Sequence, residues 1–174
     1  MRMSGMNWKI LAAAAALMMV TACSDEPKQT GGAGAGATAA APAPAPKSRV
    51  VPGSAEDFKV NVGDTAYFDF DKSNVRADAA SVLQKQAAWL KTYPKVTITI
   101  EGHCDERGTR EYNLALGERR ANSSKEYLVS QGIDASRIST ISYGKERPVC
   151  TVSDEGCWQQ NRRSLTTIQT GASS

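Results

Sequence analysis

Charged side chains of both signs are concentrated between residues 101 and 120. The carboxylates stand at positions 101, 105, 106, 111 and 118, and the guanidiniums at 107, 110, 119 and 120. A carboxylate accepts hydrogen bonds from an ammonium group, whereas the planar fork of a guanidinium matches a carboxylate. Such near-neutral, densely charged composition predicts either a zwitterionic ligand or a surface that neutralises itself, and composition alone leaves both interpretations open.

The tripeptide His103-Cys104-Asp105 contains residue types used in nucleophilic catalysis and in metal binding. Successive side chains of a strand point to opposite faces, so His103 and Cys104 are not expected to act on each other. The chain has one histidine, which excludes a two-histidine metal site within one molecule. We therefore expect no enzyme activity, no metal and no cofactor.

Hydrophobic periodicity predicts the elements that position these residues. Alternating or aromatic-rich runs predict strands at 65–70, 96–100, 137–143 and 163–169. Apolar positions at helical spacing predict helices at 77–93, closed by Pro94, and at 112–131, closed by Gly132. In the second helix, Gly117 and Ala121 predict close packing through small residues. Strands that alternate with helices predict an α/β (α+β) sandwich in which one sheet packs against helices.

The N-terminus has the pattern of an export signal. Arg2 and Lys9 precede an apolar run at 10–20, which is too short to span a membrane and is followed by polar residues. The segment Val20-Thr21-Ala22-Cys23 resembles the lipobox of bacterial lipoproteins, which implies cleavage before Cys23 and lipidation of that residue. Ser24 resembles the residue at the same position in lipoproteins sorted to the outer membrane.

A low-complexity segment separates this signal from the rest of the chain. Every residue of 31–46 except Thr38 is Gly, Ala or Pro, so the segment has no large side chains to bury. We expect a disordered spacer, loose in its Gly half and extended in its Pro half. The predicted organisation is a signal peptide at 1–22, a lipidated N-terminus and linker at 23–55, and a domain at 56–174.

With Cys23 assigned to lipid, three cysteines are left for the domain. Cys150 and Cys157 flank a polar turn, and an exported chain meets oxidising conditions, so we expect a disulfide between them. Cys104 then stays single, and we expect it to be a buried, unreactive thiol.

The ordered motifs of the domain resemble those of the OmpA-like peptidoglycan-binding family, most closely its members in Tol–Pal systems. They extend over about 64–168 and are Tyr67-Phe-Asp-Phe-Asp-Lys72, Glu101-Gly-His-x-Asp-Glu-Arg-Gly-Thr109, Glu111-Tyr-Asn113, Leu116-Gly-Glu-Arg-Arg-Ala121, Ser142-Tyr-Gly-Lys-Glu-Arg-Pro148 and Asn161-Arg-Arg163. The resemblance implies a βαβαβ-type domain with one mixed sheet.

The resemblance also implies a ligand, the diaminopimelate of the peptidoglycan stem peptide. Asp105 would accept hydrogen bonds from its ammonium group, and Arg120 would hold its carboxylate. Asp71 matches a second carboxylate of the pocket, and Phe70 a wall. Further matching pocket positions are Arg107, Asn113 and Leu116.

Two of these assignments have alternatives. Asn113 lies near a helix start and could serve only as a cap or a loop brace. Arg119 and Arg120 diverge by about 100° on a helix, so only one can face the ligand. We assign Arg120 and expect Arg119 to pair with Glu111 or Glu118, although the reverse assignment stays open. Replacement of Asp105 or Arg120 by Ala is expected to abolish wall binding without loss of thermal stability.

The resemblance implies partners as well: the peptidoglycan, the outer membrane, the periplasmic propeller TolB and, through it, the inner-membrane Tol proteins. It implies a role in outer-membrane invagination during cell division. A wall-anchoring lipoprotein without Tol partners is the alternative. A cell-wall hydrolase lacks the residues for catalysis, and a flagellar stator is disfavoured because the chain lacks a true transmembrane helix. The formal charge of +3 gives no reason to expect nucleic acid as a partner.

Overall fold

The computed structural model describes residues 50–173. The predicted signal peptide, the lipidation site at Cys23 and the Gly/Ala/Pro spacer lie outside these residues. The domain boundary at residue 56 stays a prediction. Within residues 50–173, no helix has both the length and the apolar character needed to cross a membrane.

Helices and strands alternate along the described chain. The strands are β1 Thr65–Tyr67, β2 Thr97–His103, β3 Ile138–Gly144 and β4 Arg163–Thr170. The helices are α1 Ala55–Asp57, α2 Ala77–Thr92, α3 Arg110–Ser130 and α4 Glu155–Asn161. Helix α1 continues into a π-helical turn at Phe58–Val62, and a 3-10 turn at Ala135–Arg137 leads into β3.

The four strands form one mixed sheet in the order β1-β4-β2-β3. Strand β4 is antiparallel to both of its neighbours, whereas β2 and β3 are parallel. The parallel pair is connected by α3, as a crossover between parallel strands requires. The predicted sandwich with one mixed sheet is therefore confirmed.

The sheet buries one face against α2 and α3. In β2, Ile98 and Ile100 are buried, and Thr97 and Thr99 between them are partly exposed, as the alternation predicts. Leu83 and Leu90 of α2 and Leu128 of α3 complete a continuous apolar core with these strand residues. Burial of these side chains, each contributing about 1.5–3 kcal/mol of transfer free energy, fixes which face each element presents.

Helix α3 lies unusually close to β2 because two glycines meet. A Cβ atom at Gly102 would lie 1.8 Å from the carbonyl oxygen of Gly117, so no other residue fits at Gly102 without backbone movement. The predicted close packing through small residues is confirmed. It brings the first turns of α3 directly over the end of β2.

Three features differ from the sequence-based expectations. Strand β1 ends at Tyr67 rather than Phe70, because the chain turns away from the sheet and Asp71 adopts a left-handed φ of 57°. Helix α3 begins at Arg110, where the Thr109 side chain accepts a hydrogen bond from the Tyr112 amide. Helix α4 was not predicted, since its seven residues are too few to show periodicity.

A disulfide joins Cys150 to Cys157, with their Cα atoms 5.2 Å apart. It closes the loop that leads into α4. Asn161 at the end of this helix holds the same loop, because its side chain accepts from the Val149 amide and donates to the Cys150 carbonyl. The position of α4 is therefore fixed from both ends.

Candidate binding site at the end of strand β2

The loop between β2 and α3 forms the centre of the candidate site. Its first residue is tied to the neighbouring strand, since the Cys104 amide donates to the Gly144 carbonyl at 2.8 Å. Asn113 braces its far end by donating to the carbonyls of Arg107 and Thr109 at 2.8 and 3.0 Å. The brace foreseen as an alternative role for Asn113 is thus present, and it holds the loop in one conformation.

A cavity of about 180 Å³ opens between this loop, α3 and the segment that follows β1. All seven residues that the sequence assigns to the pocket line it: Phe70, Asp71, Asp105, Arg107, Asn113, Leu116 and Arg120. Cys104, Gly108 and Tyr112 line it too. The fold therefore brings together residues that are up to 50 positions apart in the chain.

Asp105 is buried and is surrounded by arginines. Its Oδ1 accepts from the amide and the Nε of Arg107 at 3.1 and 3.2 Å, and its Oδ2 accepts from Arg107 Nη2 at 2.7 Å. Arg162 Nη1 lies 3.4 Å from Oδ2. Burial by itself would raise the pKa of Asp105, but the hydrogen bonds and charges of the two arginines outweigh it and hold this pKa below its ordinary value. The carboxylate is therefore ionised at neutral pH.

Arg107 is held between two aromatic rings. Its guanidinium carbon lies 4.0 Å from the centre of the Phe70 ring and 4.1 Å from that of the Trp158 ring. The Trp158 indole is oriented in turn by a hydrogen bond of 3.0 Å from its Nε1 to Glu106. Both rings lie within cation–π distance of the guanidinium, and its N–H groups all point within its own plane.

Arg120 is almost completely buried, with 1% of its surface exposed. Its Nε, Nη1 and Nη2 donate to the carbonyls of Lys72, His103 and Asp69 at 2.9, 2.9 and 3.0 Å. A guanidinium has five N–H groups, so one remains on each terminal nitrogen. Burial lowers the pKa of Arg120, yet an arginine stays charged at any physiological pH.

These contacts change the expected stability of an Arg120 variant. Arg120 joins the chain after β1 to the end of β2, so its removal leaves three carbonyls without their partner. Replacement by Ala is therefore expected to lower stability, which differs from the sequence-based prediction that stability would hold.

Asp71 forms the opposite, exposed side of the cavity. Its carboxylate accepts a hydrogen bond from the Tyr112 hydroxyl, which raises the pKa of Tyr112. Phe70 beside it is 56% exposed although it is aromatic. Tyr112 was missed by the sequence interpretation, even though it lies within the motif Glu111-Tyr-Asn113.

Arg162 and Trp158 were missed as well. Arg162 is buried and donates to the Phe68 carbonyl and to Glu155 as well as to Asp105. The motif Asn161-Arg-Arg163 indicated Arg162. No sequence pattern distinguishes Trp158 from a tryptophan of the hydrophobic core.

Arg119, the alternative carboxylate clamp, is exposed and does not line the cavity. The structure therefore favours the assignment of Arg120. The expected ion pair of Arg119 with Glu111 or Glu118 does not occur among the described residues. Its guanidinium instead lies 6.0 Å from the centre of the Tyr112 ring.

Cys104 is buried and outside any disulfide, as expected. Burial raises its pKa to about 11, so the thiol stays protonated and unreactive. Within residues 50–173, no group of three or more His, Cys, Asp or Glu side chains is placed to hold a metal ion. The cavity thus has the ionised carboxylate of Asp105 and the guanidinium of Arg120 among its lining groups.

Comparison with known proteins agrees with this fold. The sequence pattern of the OmpA family matches residues 67–162, more than half of the 174-residue chain. The chain belongs to the OmpA family. The match includes the β1 end, the Asp105 loop, α3 and Arg162, which are the parts that build the cavity.

Two relatives in this family are each named peptidoglycan-associated lipoprotein. The one from Agrobacterium fabrum is 60% identical over 117 residues, which are 67% of this chain and 66% of that protein. The one from Mesorhizobium japonicum is 59% identical over 117 residues, which are 67% of this chain and 70% of that protein. The match thus spans about two thirds of the length of these relatives.

Solved structures of the OmpA fold are also similar. The peptidoglycan-associated lipoprotein from Burkholderia pseudomallei is 42% identical with a TM-score of 0.59, over 61% of this chain and 90% of that one. The C-terminal domain of MotB from Helicobacter pylori is 21% identical with a TM-score of 0.58, over 62% of this chain and 84% of that one. The second similarity shows a shared fold and nothing more.

Proposed function

We propose that this chain is a non-enzymatic lipoprotein of the bacterial envelope that binds peptidoglycan through the diaminopimelate of its stem peptide. The observation that carries the proposal is the cavity in which Asp105 and Arg120 face one small space. The family membership and the names of the relatives support the same conclusion.

The two charges suit the two groups at the free end of diaminopimelate. The ammonium would lie at Asp105, with Asp71 as a second carboxylate on the open side of the cavity. The carboxylate of the ligand would accept hydrogen bonds from the two N–H groups that Arg120 does not donate to backbone carbonyls. A ligand with only one of these groups would leave one buried charge of the cavity unpaired, which costs binding free energy.

The proposal includes a tether. Lipid on Cys23 would hold the N-terminus in the outer membrane, and the residues before the domain would let it reach the wall on the periplasmic side. Two or more acyl chains give stable membrane anchoring, whereas one gives only marginal binding. Partnership with TolB and the inner-membrane Tol proteins, and a role in cell division, are part of this proposal.

The wall-binding half is tested by sedimentation with purified, diaminopimelate-containing peptidoglycan. Asp105→Asn keeps the shape of the side chain but removes its charge, so we expect at least a roughly tenfold loss of affinity. Asp71→Asn should lose less, because Asp71 is exposed. Glu126→Gln is the matched control, since Glu126 is an exposed carboxylate outside the cavity.

Free meso-diaminopimelate should compete with the wall for the unchanged protein. Full sedimentation of both aspartate variants, together with no competition by the free amino acid, would contradict the proposed ligand. A thermal melt of each variant separates loss of binding from loss of folding.

The anchoring half is tested by replacing Cys23 with Ser. Without the thiol no lipid is attached, and we expect the protein to move from the membrane fraction to the soluble periplasmic fraction. Retention of the Cys23→Ser chain in membranes that have been stripped of wall material would show that another segment anchors it.

A further inference from the structure

The N-terminal end of the domain and the cavity lie at opposite ends of the sheet. The Gly53 carbonyl accepts a hydrogen bond of 3.0 Å from the Ser173 amide, just beyond the end of β4. Thr170 at that end of β4 pairs with Thr97, the first residue of β2, whereas Asp105 of the cavity comes just after the last residue of β2. The seven residues of β2 extend about 20 Å, so the chain enters the domain about that far from the cavity.

One stretch of chain, residues 53–72, connects these two ends. Beyond α1 and the π-helical turn it enters the sheet as β1, which runs towards the cavity alongside β4. Its residues Phe70 and Asp71 line the cavity. Arg120 donates to the Asp69 carbonyl in the same stretch. The chain that would come from the membrane therefore forms one side of the binding site.

The end of this stretch that lies far from the cavity is fixed by Asp57. Its Oδ2 accepts from the indole Nε1 of Trp89 in α2 at 2.8 Å and from the Gly53 amide at 2.9 Å. These hydrogen bonds, above all that of Trp89, hold the pKa of Asp57 below its ordinary value. The next residue, Phe58, is 1% exposed, and its ring lies 4.9 Å from the Trp89 ring. Together these contacts form an N-terminal clamp, which consists of Gly53, Asp57, Phe58 and Trp89.

Between the clamp and the cavity the stretch is held along its side. The Gly63 carbonyl accepts from the Gln86 side chain at 2.8 Å. The Asp64 carbonyl accepts from the Thr166 amide at 2.8 Å, and the pairing of β1 with β4 follows. The hydrogen bonds of an antiparallel pair are perpendicular to the strands. A pull along β1 therefore loads these bonds together rather than one after another, so the stretch resists tension along its own axis.

We propose that residues 53–72 carry mechanical load between the membrane tether and the wall, and that the N-terminal clamp takes up this load before it reaches the cavity. The inference rests on the proposed function, since it needs wall in the cavity and a tether at the N-terminus. Without the clamp, tension would pass along β1 to Phe70 and Asp71 and draw one side of the cavity away from the ligand. The clamp thus lengthens the life of the wall bond under load and has no part in ligand recognition.

The lifetime of the wall bond is measured under constant load in magnetic tweezers. The unlipidated full chain is attached to the surface through the Cys23 thiol, because Cys104 is buried and the other two cysteines form the disulfide. The bead carries purified, diaminopimelate-containing peptidoglycan. Asp57→Ala removes the acceptor of the clamp, and Trp89→Phe removes one donor but keeps an aromatic ring.

Asp134→Ala is the matched control. Asp134 is likewise a carboxylate that accepts from a backbone amide, that of Ser136 at 2.8 Å. It lies in the connection from α3 to β3, outside residues 53–72. The same substitution there removes a hydrogen bond without exposing the cavity to tension from the tether.

We expect Asp57→Ala to shorten the lifetime under load at least roughly tenfold, the factor that loss of one hydrogen bond to a charged group allows. Trp89→Phe should shorten it by less. An extension of up to about 40 Å, the length of residues 53–64 pulled straight, should precede rupture in Asp57→Ala. Without load, sedimentation with the same wall should give equal affinities for the unchanged chain and all three variants.

Loaded and unloaded binding together separate the outcomes. If the lifetime under load is the same in Asp57→Ala and the unchanged chain, or falls equally in Asp134→Ala, the load-bearing role is overturned while the proposed function stands. A lower unloaded affinity of Asp57→Ala would also overturn it, because the clamp would then act on ligand binding itself. If the unchanged chain does not bind the wall at all, the proposed function fails, and this inference fails with it.

Discussion

Two groups of buried polar side chains lie next to each other at the end of β2, and they differ in how well they are paired. On the cavity side, Asp105 and Arg120 are surrounded by hydrogen-bond partners. On the face of the sheet turned away from α2 and α3, the two ring nitrogens of His103 and the Nη1 of Arg163 have no hydrogen-bond partner within residues 50–173.

The second group is held by packing rather than by pairing. The Nε2 of His103 lies 3.4 Å from a carboxylate oxygen of Glu101 without the alignment of a hydrogen bond, and the imidazole packs on Tyr143. Burial, with the nearby charges of Arg163 and Arg147, lowers the pKa of His103 to about 4. The imidazole is therefore neutral at neutral pH.

The difference shows two uses of buried charge. In the free protein the Asp105 carboxylate is fully hydrogen-bonded, whereas Arg120 keeps two N–H groups that a ligand can use, and both residues line the cavity. The unpaired group on the other face costs stability and responds to pH. We infer that changes in the first group affect stability and binding together, whereas changes in the second affect stability alone.

The largest expected effect is that of Arg120→Met. Methionine is long and apolar, but it cannot replace the three hydrogen bonds to the carbonyls of Lys72, His103 and Asp69. We expect the free energy of unfolding to fall by about 3 kcal/mol or more, measured by urea denaturation.

Arg163→Met is the matched control on the other face. Arg163 is also buried, with 5% of its surface exposed, but makes one long hydrogen bond, 3.3 Å from its Nη2 to the Arg147 carbonyl. Exchange of such a poorly paired buried charge for an apolar side chain should change stability by less than about 1 kcal/mol. Equal losses in the two variants would remove the contrast between the groups.

The pH dependence of stability should report His103. Its pKa is near 6.5 in the unfolded chain and about 4 in the folded one, so the unfolded state binds the proton more readily. The contribution of the neutral imidazole to the free energy of unfolding is fully present above about pH 6.5 and is lost as the pH falls towards 4. We expect a loss of about 2 kcal/mol between pH 7.5 and pH 5, measured by urea denaturation at each pH.

His103→Gln is the control for that measurement, because glutamine does not titrate. Its stability should change much less over the same interval, and wall binding at pH 7.5 should stay as in the unchanged chain. A His103→Gln chain that still loses as much stability as the unchanged protein would assign the pH dependence to other groups.

Much of the fold followed from hydrophobic periodicity, because long elements repeat their pattern several times. Helices α2 and α3 and strands β2 to β4 were predicted within a few residues of their bounds. The short helix α4 was missed for the opposite reason, since one or two turns contain too few repeats. Strand β1 ends early and is followed by a left-handed backbone at Asp71, and no sequence pattern indicates either feature.

The composition of the cavity followed from ordered motifs, but its internal pairing did not. All seven predicted residues line it, whereas the contact of Arg107 with Trp158 depends on where α4 places that ring. The structural role of Arg120 could not be predicted from the sequence either, because it depends on carbonyls that lie about 50 and 17 residues away in the chain.

The central claim is that Asp105 and Arg120 receive the two charged groups of diaminopimelate. A crystal structure with the diaminopimelate tripeptide tests it most directly. We expect the ammonium nitrogen within hydrogen-bond distance of Asp105 and the carboxylate on the terminal nitrogens of Arg120, with the guanidinium of Arg107 moved off Asp105. A tripeptide bound outside this cavity, or inside it with its charged end turned away from both residues, would contradict the account.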